Sequence, residues 1–457
     1  MKHYDAIIIG AGQAGPSLAA RLVSEGENVA IIERHLFGGT CVNTGCIPTK
    51  TLVASAKVAH MASRGDEYGV ECNYSVNMKK VKQRNDSVVQ QSNQGVTNWL
   101  KEMKGLDVYQ GHAKFINNHS ISVNDEQLDA DRIFINVGAR ARVPAMAGLD
   151  EIEFFTNTSI MEVDYLPEHL IIIGGSYIGL EFAQIYKRFG SEVTVIEMSG
   201  RLISREDAAV SAAVVEILES EGISIELNAE CISFSKSDKG IVVSTSCVDG
   251  QQQVTGSHVL LAVGRVPNTD DLGLEHTDIK ADERGLIRVD DYLQTSAEGV
   301  WALGECNGRG AFTHTAYNDY EIVVDTLYGS VQRKVTDRIA CYGLFIDPPL
   351  GRVGMTETQV KESGINALVG KMDMADVGRA KEKGETKGFM KVLVNADNKQ
   401  ILGANILGVG GDEVIHLLLD MMYAEKEYTV IANATHIHPT VSELVPTLLQ
   451  NLKPLNE

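Results

Sequence analysis

The 457-residue sequence contains little cysteine, no long hydrophobic run and a shortage of positive charge. Its seven cysteines are spread through the chain, and only two of them stand close together. Such sparse usage argues against a disulfide-stabilised secreted protein and favours a reducing compartment. We therefore expect a cytoplasmic protein.

The hydrophobic and charge patterns exclude two further classes of protein. No apolar run approaches the roughly 18 residues of a transmembrane helix, so no membrane span is expected. Asp5 and three glycines interrupt the apolar N-terminal run, which is unlike a signal peptide. Lys and Arg total 41 against 61 Asp and Glu, a net charge of −20. A nucleic-acid partner, which requires a positively charged surface, is not expected.

The two neighbouring cysteines, Cys41 and Cys46, lie in a stretch that reads GGTCVNTGCIPTK, residues 38–50. In a regular α-helix, Cα atoms five residues apart are separated by roughly 8.5 Å, beyond the ~7 Å limit for a disulfide. If the two cysteines bridge, the backbone between them departs from regular helix, and residues 43–45 tolerate such a distortion. Two cysteines at this spacing also arise by chance as small core residues.

A dinucleotide-binding unit is predicted at the N-terminus. An isoleucine-rich strand leads into a GxGxxG fingerprint at Gly10, Gly12 and Gly15, followed by a helix and a second strand that ends at Glu33. Gly10 permits a tight turn, Gly12 lets the backbone approach a pyrophosphate, and Gly15 lets helix and strand pack closely. Glu33 stands where a carboxylate accepts a hydrogen bond from a ribose hydroxyl. A lone fingerprint is common, but this complete order of elements predicts a dinucleotide site.

The same device recurs in the middle of the chain, at Gly174, Ser176 and Gly179, with a strand that ends at Glu197. The interval from first glycine to acid is 23 residues in both units, 10 to 33 and 174 to 197, so this is an internal repeat. Ser176 replaces the second glycine. Glu197 is expected to bond the 2′-hydroxyl of NAD and to repel the 2′-phosphate of NADP, although Arg201 lies close enough in sequence to soften that preference.

The C-terminal part changes to strands and short helices from about residue 337. Thr356 with Gln359 forms the pattern of a capping box. Near the end, His436 and His438 stand in a His-x-His pair. From the residues alone this pair is a metal ligand set, a structural pair or an acid–base group, and the three readings stay open.

Taken together, these segments resemble the class I flavin-dependent pyridine nucleotide-disulfide oxidoreductases, in their lipoamide dehydrogenase and mercuric reductase branch. Residues 38–50 resemble the redox motif of that family almost letter for letter, and the resemblance runs in family order over essentially the whole chain. It implies an α/β fold with two Rossmann-like dinucleotide-binding domains, for FAD and NAD(P), and a C-terminal α+β dimerisation domain. The implied domains are FAD-binding at 1–148 and 265–336, NAD(P)-binding at 149–264, and dimerisation at 337–457.

The resemblance also implies the catalytic roles. Cys41 and Cys46 would form the redox disulfide, with Cys46 as the thiolate on the flavin side and Cys41 as the thiol that attacks substrate. His438, oriented by Glu443, would be the acid–base residue and would serve the active site of the partner subunit in a homodimer. His436 is left as a structural residue. The substrate would be a small-molecule or protein disulfide.

Cofactor-binding residues follow from the same resemblance, with NAD(H) favoured over NADP(H). Tyr177 resembles the gate over the nicotinamide pocket, and Glu181 resembles the carboxylate that pairs with Lys50, although from sequence alone it reads as a helix-surface charge. Glu305 stands where the family has aspartate against the flavin ribitol. The residues expected to contact FAD are Gly10, Gly12, Gly15, Glu33, Gly39, Thr40, Lys50, Ala113, Gly138, Gly304 and Glu305. Those expected to contact NAD(P) are Gly174, Ser176, Tyr177, Gly179, Glu181, Glu197 and Gly264.

The substrate itself is not specified by the sequence. The expected function is NAD(P)H-dependent disulfide oxidoreduction. One alternative is reduction of a metal ion, Hg²⁺ or Cu²⁺. Mercuric reductases carry a C-terminal cysteine pair, whereas residues 444–457 contain no cysteine, so turnover of Hg²⁺ is not expected. The other alternative is a flavin-binding sensor without turnover, against which the four intact catalytic residues argue.

Overall fold

The structure, a computed structural model, describes residues 1–245 and 252–455, so Cys247 lies outside the described residues. None of the helices found in these two ranges is long and apolar enough to cross a bilayer. The first unit opens with six strands and four helices. They are β1 (Lys2–Ile9), α1 (Ala14–Ser24), β2 (Val29–Glu33), α2 (Gly39–Asn43), α3 (Cys46–Ser63), α4 (Met78–Glu102), β3 (Leu106–Gln110), β4 (Ala113–Phe115), β5 (Ser120–Val123) and β6 (Glu126–Ile135).

The first sheet has the order β3-β2-β1-β6-β5-β4. The strands β3, β2, β1 and β6 are parallel, and β5 and β4 continue the sheet antiparallel. Residues Ala6–Ile9 and Val29–Glu33 are buried on both faces, which explains why these strands read as continuous apolar runs rather than as alternating ones. The carboxyl ends of β1 and β2 therefore meet at one sheet edge, where the fingerprint loop and Glu33 lie.

The second unit repeats this arrangement. Its elements are β7 (Ala139–Ala141), β8 (His169–Ile173), α5 (Tyr177–Phe189), β9 (Glu192–Ile196), α6 (Ala208–Ser220), β10 (Ser224–Glu226), β11 (Ser233–Ser237), β12 (Gly240–Ser244), β13 (Gln253–Gly256), β14 (His258–Leu261) and β15 (Arg265–Pro267). A parallel sheet has the order β10-β9-β8-β14, and β11-β12-β13 form a small antiparallel sheet. The entering and leaving segments, β7 and β15, pair antiparallel, so the chain leaves and rejoins the first unit at one place.

The chain then returns to the first sheet through β16 (Val300–Ala302), which pairs parallel to the second half of β6. The first half of β6 pairs with β5. The helix α7 (Thr313–Tyr328) follows and packs on α1. The first sheet is thus built from two separate stretches of sequence, as the predicted domain division requires. The boundaries at 148, 264 and 336 stay predictions.

The C-terminal unit is an antiparallel sheet covered by short helices, with the order β17-β18-β21-β20-β19-β22. Thr356 and Gln359 form the expected capping box at the start of α8, and Gly364 ends that helix in the left-handed conformation. The elements are β17 (Cys341–Leu344), β18 (Leu350–Gly354), α8 (Glu357–Ser363), β19 (Ala367–Asp373), α9 (Gly378–Glu382), β20 (Phe389–Asn395), β21 (Ile401–Leu407), α10 (Gly411–Val414), α11 (His416–Tyr423), α12 (Thr429–Ala432), α13 (Leu444–Gln450) and β22 (Lys453–Pro454).

Ion pairs join the three units beside α3. The Nζ atom of Lys57 lies 2.8 Å from Oδ1 of Asp347 and 2.6 Å from Oε1 of Glu385. Nη1 of Arg188, whose side chain is buried, lies 2.6 Å from Oδ2 of Asp347. The Arg188 pair is the more buried of these and fixes relative position, because breaking it leaves an uncompensated charge. The helix that begins at Cys46 is therefore joined to the C-terminal unit at Asp347, the same residue that Arg188 of the second unit contacts.

Candidate active site

The two cysteines flank a break between two helices. The helix α2 ends at Asn43, Thr44 and Gly45 are non-helical, and α3 starts at Cys46. The break falls in residues 43–45, where the sequence predicts a distortion. A Cβ atom on Gly45 would lie 2.8 Å from the carbonyl oxygen of Thr40, so a side chain there would clash with backbone. Glycine at this position lets the two helices turn closely enough to bring the cysteines together.

The redox loop is held by two asparagines. The side-chain amide of Asn43 donates to the carbonyls of Phe37 at 3.0 Å and Gly39 at 2.9 Å. Asn93 on α4 donates to the Phe37 carbonyl at 2.7 Å and to Oδ1 of Asn43 at 3.1 Å. A long polar helix such as α4 is usually only a solvated face, but Asn93 of α4 holds the redox loop. Its polarity gives no signal that distinguishes it from the exposed residues around it.

The two sulfurs, both half-buried free thiols, differ in their acidity. The hydrogen bond with Cys41, and after it the hydroxyl of Thr313 and the charge of Lys50, lower the pKa of Cys46 to about 6 despite burial. The same hydrogen bond, together with burial, raises the pKa of Cys41. Sγ of Cys46 lies 3.0 Å from Oγ1 of Thr313, at the start of α7. The position of Cys46 as the first residue of the 18-residue helix α3 also favours its thiolate.

Lys50, one turn into α3, is held by the predicted ion pair. Its Nζ atom donates to the two carboxylate oxygens of Glu181 at 3.0 and 2.8 Å and lies 4.4 Å from the ring centroid of Phe345. The backbone N–H of Phe345 donates to the same carboxylate at 3.0 Å. Glu181 is buried, so it is not the helix-surface charge that sequence alone favours. The ion pair fixes a positive charge near Cys46.

The two dinucleotide units have equivalent close contacts between fingerprint glycines and backbone carbonyls. A Cβ atom on Gly10 would lie 2.2 Å from the Asn136 carbonyl oxygen, and one on Gly174 would lie 2.4 Å from that of Ala262. A Cβ atom on the third glycine of each fingerprint would lie 2.3 Å (Gly15) or 2.1 Å (Gly179) from the carbonyl oxygen of the first glycine, so no side chain fits there. The repeat predicted from the 23-residue interval is thus a repeat of structure.

Ser176 is compatible with its position. The residue is exposed and its backbone is extended, with φ −111° and ψ −174°, a conformation that any residue adopts. Gly12 occupies the equivalent position in the first fingerprint, and its surroundings are more crowded. A Cβ atom on Gly39 would lie 2.8 Å from the Cα atom of Gly12, and one on Gly12 would lie 3.1 Å from Oδ1 of Asn136. Glycine is therefore required where the redox loop approaches the first fingerprint, and serine is tolerated in the second.

Glu33 and Glu197 make matching backbone contacts. The carboxylate of Glu33 accepts from the N–H groups of Ala11 at 2.9 Å and His35 at 2.8 Å. The carboxylate of Glu197 accepts in the same way from Gly175 at 2.6 Å and Ser199 at 2.8 Å. These bonds orient each carboxylate at the end of its strand, and each oxygen retains lone pairs for a ribose hydroxyl. The sequence predicts the two acids, and the structure shows how the loop holds them.

The helix N-termini near these carboxylates suit phosphate groups. The N-cap residues of α1 and α5, Gln13 and Ser176, make no side-chain cap bond, and neither helix has an acidic residue in its first turn. In α1 the Gly15 N–H is already bonded to Oδ1 of Asn136. Free N–H groups at a helix N-terminus bind phosphate oxygens. With the closely packed Gly12 and Gly39, the donor set of the first unit fits the pyrophosphate and ribose of FAD. That of the second unit fits a nicotinamide dinucleotide.

Glu305, the residue expected at the flavin ribitol, contacts Arg265 in the structure. Nε of Arg265 lies 2.8 and 3.0 Å from its two carboxylate oxygens, and the guanidinium also donates to the carbonyl of Ala139. The preceding Gly304 N–H donates to the buried Asp319 at 2.7 Å. Glu305 therefore joins β16 to the crossing of β7 and β15. Its role at the flavin ribitol stays a prediction.

The remaining predicted FAD and NAD(P) residues lie in the loops around these contacts. Ala113 is buried at the start of β4. Gly138 and Gly264, with φ values of +61° and +107°, lie beside the crossing strands β7 and β15. Thr40 is exposed in α2. Asn136, which sequence reasoning does not single out, accepts from the Gly15 N–H at 3.1 Å and donates to the Leu303 carbonyl at 3.0 Å.

Tyr177 stands between the second fingerprint and the redox cysteines. It is the first residue of α5, and its ring centroid lies 6.2 Å from that of Phe312 and 5.8 Å from that of Tyr342. Phe312 immediately precedes Thr313, whose hydroxyl contacts Cys46. A nicotinamide that followed the second fingerprint toward the cysteines would meet the ring of Tyr177.

His438 and Glu443 form a pair on the C-terminal unit, away from the cysteines. Nδ1 of His438 lies 3.1 and 2.8 Å from the carboxylate oxygens of Glu443. The His438 side chain is 81% exposed, whereas that of Glu443 is 16% exposed. Within the described part of the chain, no hydrogen bond or ion pair joins this pair to Cys41 or Cys46. The described residues also contain no group of three or more His, Cys, Asp or Glu side chains that could hold a metal ion.

Comparison with known proteins identifies the class. Residues 4–319 match the profile of the pyridine nucleotide-disulphide oxidoreductases, and residues 341–449 match the dimerisation domain of the same proteins. The chain belongs to this family, and it is an FAD-dependent oxidoreductase that acts on sulfur groups with a pyridine nucleotide. The predicted family, fold class and general activity are confirmed.

Individual relatives are similar to this chain over nearly its whole length. The chain is 36% identical to a probable pyridine nucleotide-disulfide oxidoreductase, RclA, of Escherichia coli, over 99% of this chain and 100% of that protein. It is 32% identical to a mercuric reductase of Streptomyces lividans, over 98% and 96%. The solved structure of the E. coli protein, described as an HOCl-induced flavoprotein disulfide reductase, superimposes with a TM-score of 0.90 and 36% identity, covering 98% and 100% of the chains.

Proposed function

We propose that the protein reduces a disulfide substrate with NADH, using Cys41 and Cys46 as its redox pair. The observation that carries this proposal is the placement of two free thiols on either side of the helix break, with Sγ of Cys46 3.0 Å from Oγ1 of Thr313 and at the start of α3. The hydrogen bond between the two thiols lowers the pKa of Cys46 and raises that of Cys41. FAD, when bound, would carry electrons between the nicotinamide and the pair. Because only the thiolate attacks sulfur, Cys41 needs a base before it reacts with substrate.

His438 is the base in this proposal. A neutral imidazole whose Nδ1–H is directed to Glu443 presents Nε2 as the acceptor. The exposure of His438 on its own chain supports delivery to a second subunit, and the dimerisation-domain match supports a homodimer. The imidazole takes the proton of Cys41 when that sulfur attacks, and returns it to the thiol that leaves.

The first unit would hold FAD through the fingerprint loop, Glu33 and the redox loop. Lys50, fixed by Glu181, would lie beside Cys46 and stabilise negative charge on the flavin side of the pair. The helix α7 begins at Thr313 and directs its N-terminus to the same place, which adds to that stabilisation. We place the FAD and NAD(P) domains at the predicted boundaries and the protein in the cytoplasm.

NADH rather than NADPH is the proposed donor. Glu197 is oriented by two backbone bonds at the end of β9, where the 2′-position of the ribose is expected. A 2′-phosphate there would meet a carboxylate of like charge. Arg201, the residue that sequence suggests as a counterweight, donates instead to the carbonyl of Ser204 at 2.7 Å.

A second candidate substrate is a soft metal ion. Thiolates are the ligands that soft metal ions such as Cu(I) prefer, and a 35% identical E. coli structure is described as a Cu(II) complex of the flavoprotein disulfide reductase. The half-buried pair Cys41 and Cys46 would bind such an ion directly.

A panel of acceptors distinguishes these proposals. Lipoamide, glutathione disulfide, coenzyme A disulfide, Cu²⁺ and Hg²⁺ are each offered with NADH and with NADPH. We expect steady NADH oxidation with at least one disulfide. Turnover with Cu²⁺ alone would favour the metal-ion reductase. Flavin that NADH reduces without turnover by any acceptor would favour a sensor, and activity confined to NADPH would contradict the role given to Glu197.

A further inference from the structure

A buried group of charged side chains lies behind Tyr177, and the proposed function does not use it. The side chains of Glu206 and Arg352 are 0% and 1% exposed. Nη1 of Arg352 lies 3.7 Å from Oε2 of Glu206 and 3.4 Å from Oδ2 of Asp207. Within the described ranges, Oε2 of Glu206 and the Nε and Nη2 atoms of Arg352 have no hydrogen-bond partner. An incompletely paired group of buried charges is expensive, so packing alone does not explain it.

Two tyrosines direct their hydroxyl groups at this carboxylate. The Tyr177 hydroxyl donates to Oε1 of Glu206 at 3.3 Å. Burial and the negative charge of Glu206 raise the pKa of Tyr177 and of Tyr342, so both hydroxyls keep their protons and act as donors. A hydrogen bond to an ionised acceptor is roughly twice as strong as a neutral one. Glu206 therefore restrains the ring of Tyr177 through its hydroxyl.

The loop that carries Glu206 begins at the nucleotide site. Residues 197–207 run from the carboxylate of Glu197 to the start of α6. The loop packs on the second fingerprint, because the Ile203 N–H donates to the Gly175 carbonyl at 2.8 Å. Arg352 comes from β18 of the C-terminal unit. One loop thus connects the expected ribose contact to the restraint on Tyr177, and the C-terminal unit supports that restraint.

We propose that Glu206, backed by Arg352, is a positioning residue that holds Tyr177 across the nicotinamide pocket and so limits entry of the dinucleotide. We call Tyr177, Glu206 and Arg352 the gate latch. The inference rests on the proposed role of Tyr177 as the gate. When the closed gate predominates, the apparent affinity for the nucleotide equals the affinity of the open form multiplied by the fraction of molecules that are open. Weakening the latch increases that fraction and tightens binding.

The test uses the flavin-loaded protein and NAD⁺, whose binding is measured by calorimetry without any redox change. We compare wild type with Glu206→Gln, Tyr177→Phe and the double variant. Removing the negative charge of the acceptor in Glu206→Gln, or the donor in Tyr177→Phe, should decrease the dissociation constant about fivefold in each single variant. The double variant should bind no tighter than Tyr177→Phe, because both changes act on the same contact. Stopped-flow reduction of Glu206→Gln should show a lower half-saturating NADH concentration, by a larger factor than any change in limiting rate.

Tyr186→Phe is the matched control, since Tyr186 is a buried tyrosine on the same helix α5 whose ring packs on Phe189 and is not part of the gate latch. It should leave the NAD⁺ dissociation constant unchanged. Unchanged or weaker binding in Glu206→Gln, or additive gains in the double variant, would overturn the latch. If Glu206→Gln does not fold, Tyr177→Phe alone must tighten binding, and the latch is wrong if it does not. A wild type that binds no NAD⁺ and keeps its flavin oxidised with NADH would instead refute the proposed function, and the latch with it.

Discussion

Cys46 shows how one residue acquires reactivity from several modest contacts. Its sulfur lies at a helix start, 3.0 Å from the Thr313 hydroxyl and near a lysine fixed by a buried carboxylate. Together with the hydrogen bond from Cys41, these contacts lower its pKa to about 6. Since the charged form is favoured, thiolate chemistry at Cys46 is present above that pH and is lost as the pH falls through it.

Thr313→Val should raise the pKa of Cys46 because it removes a donor to the thiolate. The measurement is the rate of iodoacetamide alkylation of the reduced protein, followed at Cys46 by mass spectrometry between pH 5 and 9. The midpoint should move upward from about 6, by an amount on the order of one unit for one hydrogen bond. Thr51→Val is the control. Thr51 lies on α3, the helix that begins at Cys46, and its hydroxyl donates to the Ile47 carbonyl instead of the thiolate. An unchanged midpoint in Thr313→Val would show that the Thr313 hydroxyl does not lower the pKa of Cys46.

In the proposed function, the choice between NADH and NADPH depends on Glu197. Glu197→Ala removes the expected ribose contact, worth about 1.5–3 kcal/mol, so kcat/KM for NADH should fall roughly tenfold or more. The ratio of kcat/KM for NADH to kcat/KM for NADPH should fall as well. Arg201→Ala is the comparison, and it should change that ratio little because Arg201 donates to the carbonyl of Ser204. A wild type that already prefers NADPH would contradict the assignment.

At the scale of single elements, sequence was most informative where backbone chemistry leaves few choices. The two fingerprints, their acids and the break after Asn43 were predictable because glycine is required wherever a Cβ atom would meet a carbonyl. Contacts between distant segments were not. Thr313 lies 267 positions from Cys46 and Asn93 lies 50 from Asn43, and neither residue type carries a signal of its partner.

The extent of β6 was not predictable for a related reason. Only its second half is an apolar run, yet the strand extends over Glu126–Ile135, because Leu128–Ile135 pairs with β1 from Lys2 to Ile9. Its first half, with Gln127 and Asp129, is too polar to be read as a strand alone. The contact of Glu305 with Arg265 is not predictable from its motif either, because it depends on how β7 and β15 cross.

The support that α4 gives to the redox loop is testable. Asn93→Ala removes two hydrogen bonds to the loop, a local loss of about 1–2 kcal/mol. Amide hydrogen exchange in residues 37–45 should therefore accelerate about tenfold. Asn98→Ala, on the exposed side of the same helix, is the control and should leave that exchange unaltered. Equal effects of the two variants would show that α4 does not restrain the loop.

On the scale of the whole molecule, the proposed role of His438 makes the dimer part of the chemistry, because no hydrogen bond or ion pair among the described residues joins His438 to the cysteines of its own chain. His438→Ala and Cys46→Ser homodimers should each lose most activity, the histidine by about 10²–10⁴-fold. Co-refolding the two variants should restore activity, because mixed dimers contain one site with an intact cysteine pair and a histidine from the other subunit. Mixing that restores nothing, while dimers form normally, would show that His438 does not act across subunits.

In the proposed function, Cys41 and Cys46 are a redox pair in contact with the flavin, with the charge on Cys46. Anaerobic titration with dithionite, followed by absorbance, distinguishes such a pair from two ordinary thiols. Wild type should take up twice the reducing equivalents that FAD alone accepts, whereas Cys41→Ser and Cys46→Ser should each take up only those of FAD. Before any reduction, Cys41→Ser should show a long-wavelength band from the Cys46 thiolate against oxidised flavin, and Cys46→Ser should lack it. A wild type that takes up no more than FAD, or a band that appears only in Cys46→Ser, would contradict the account.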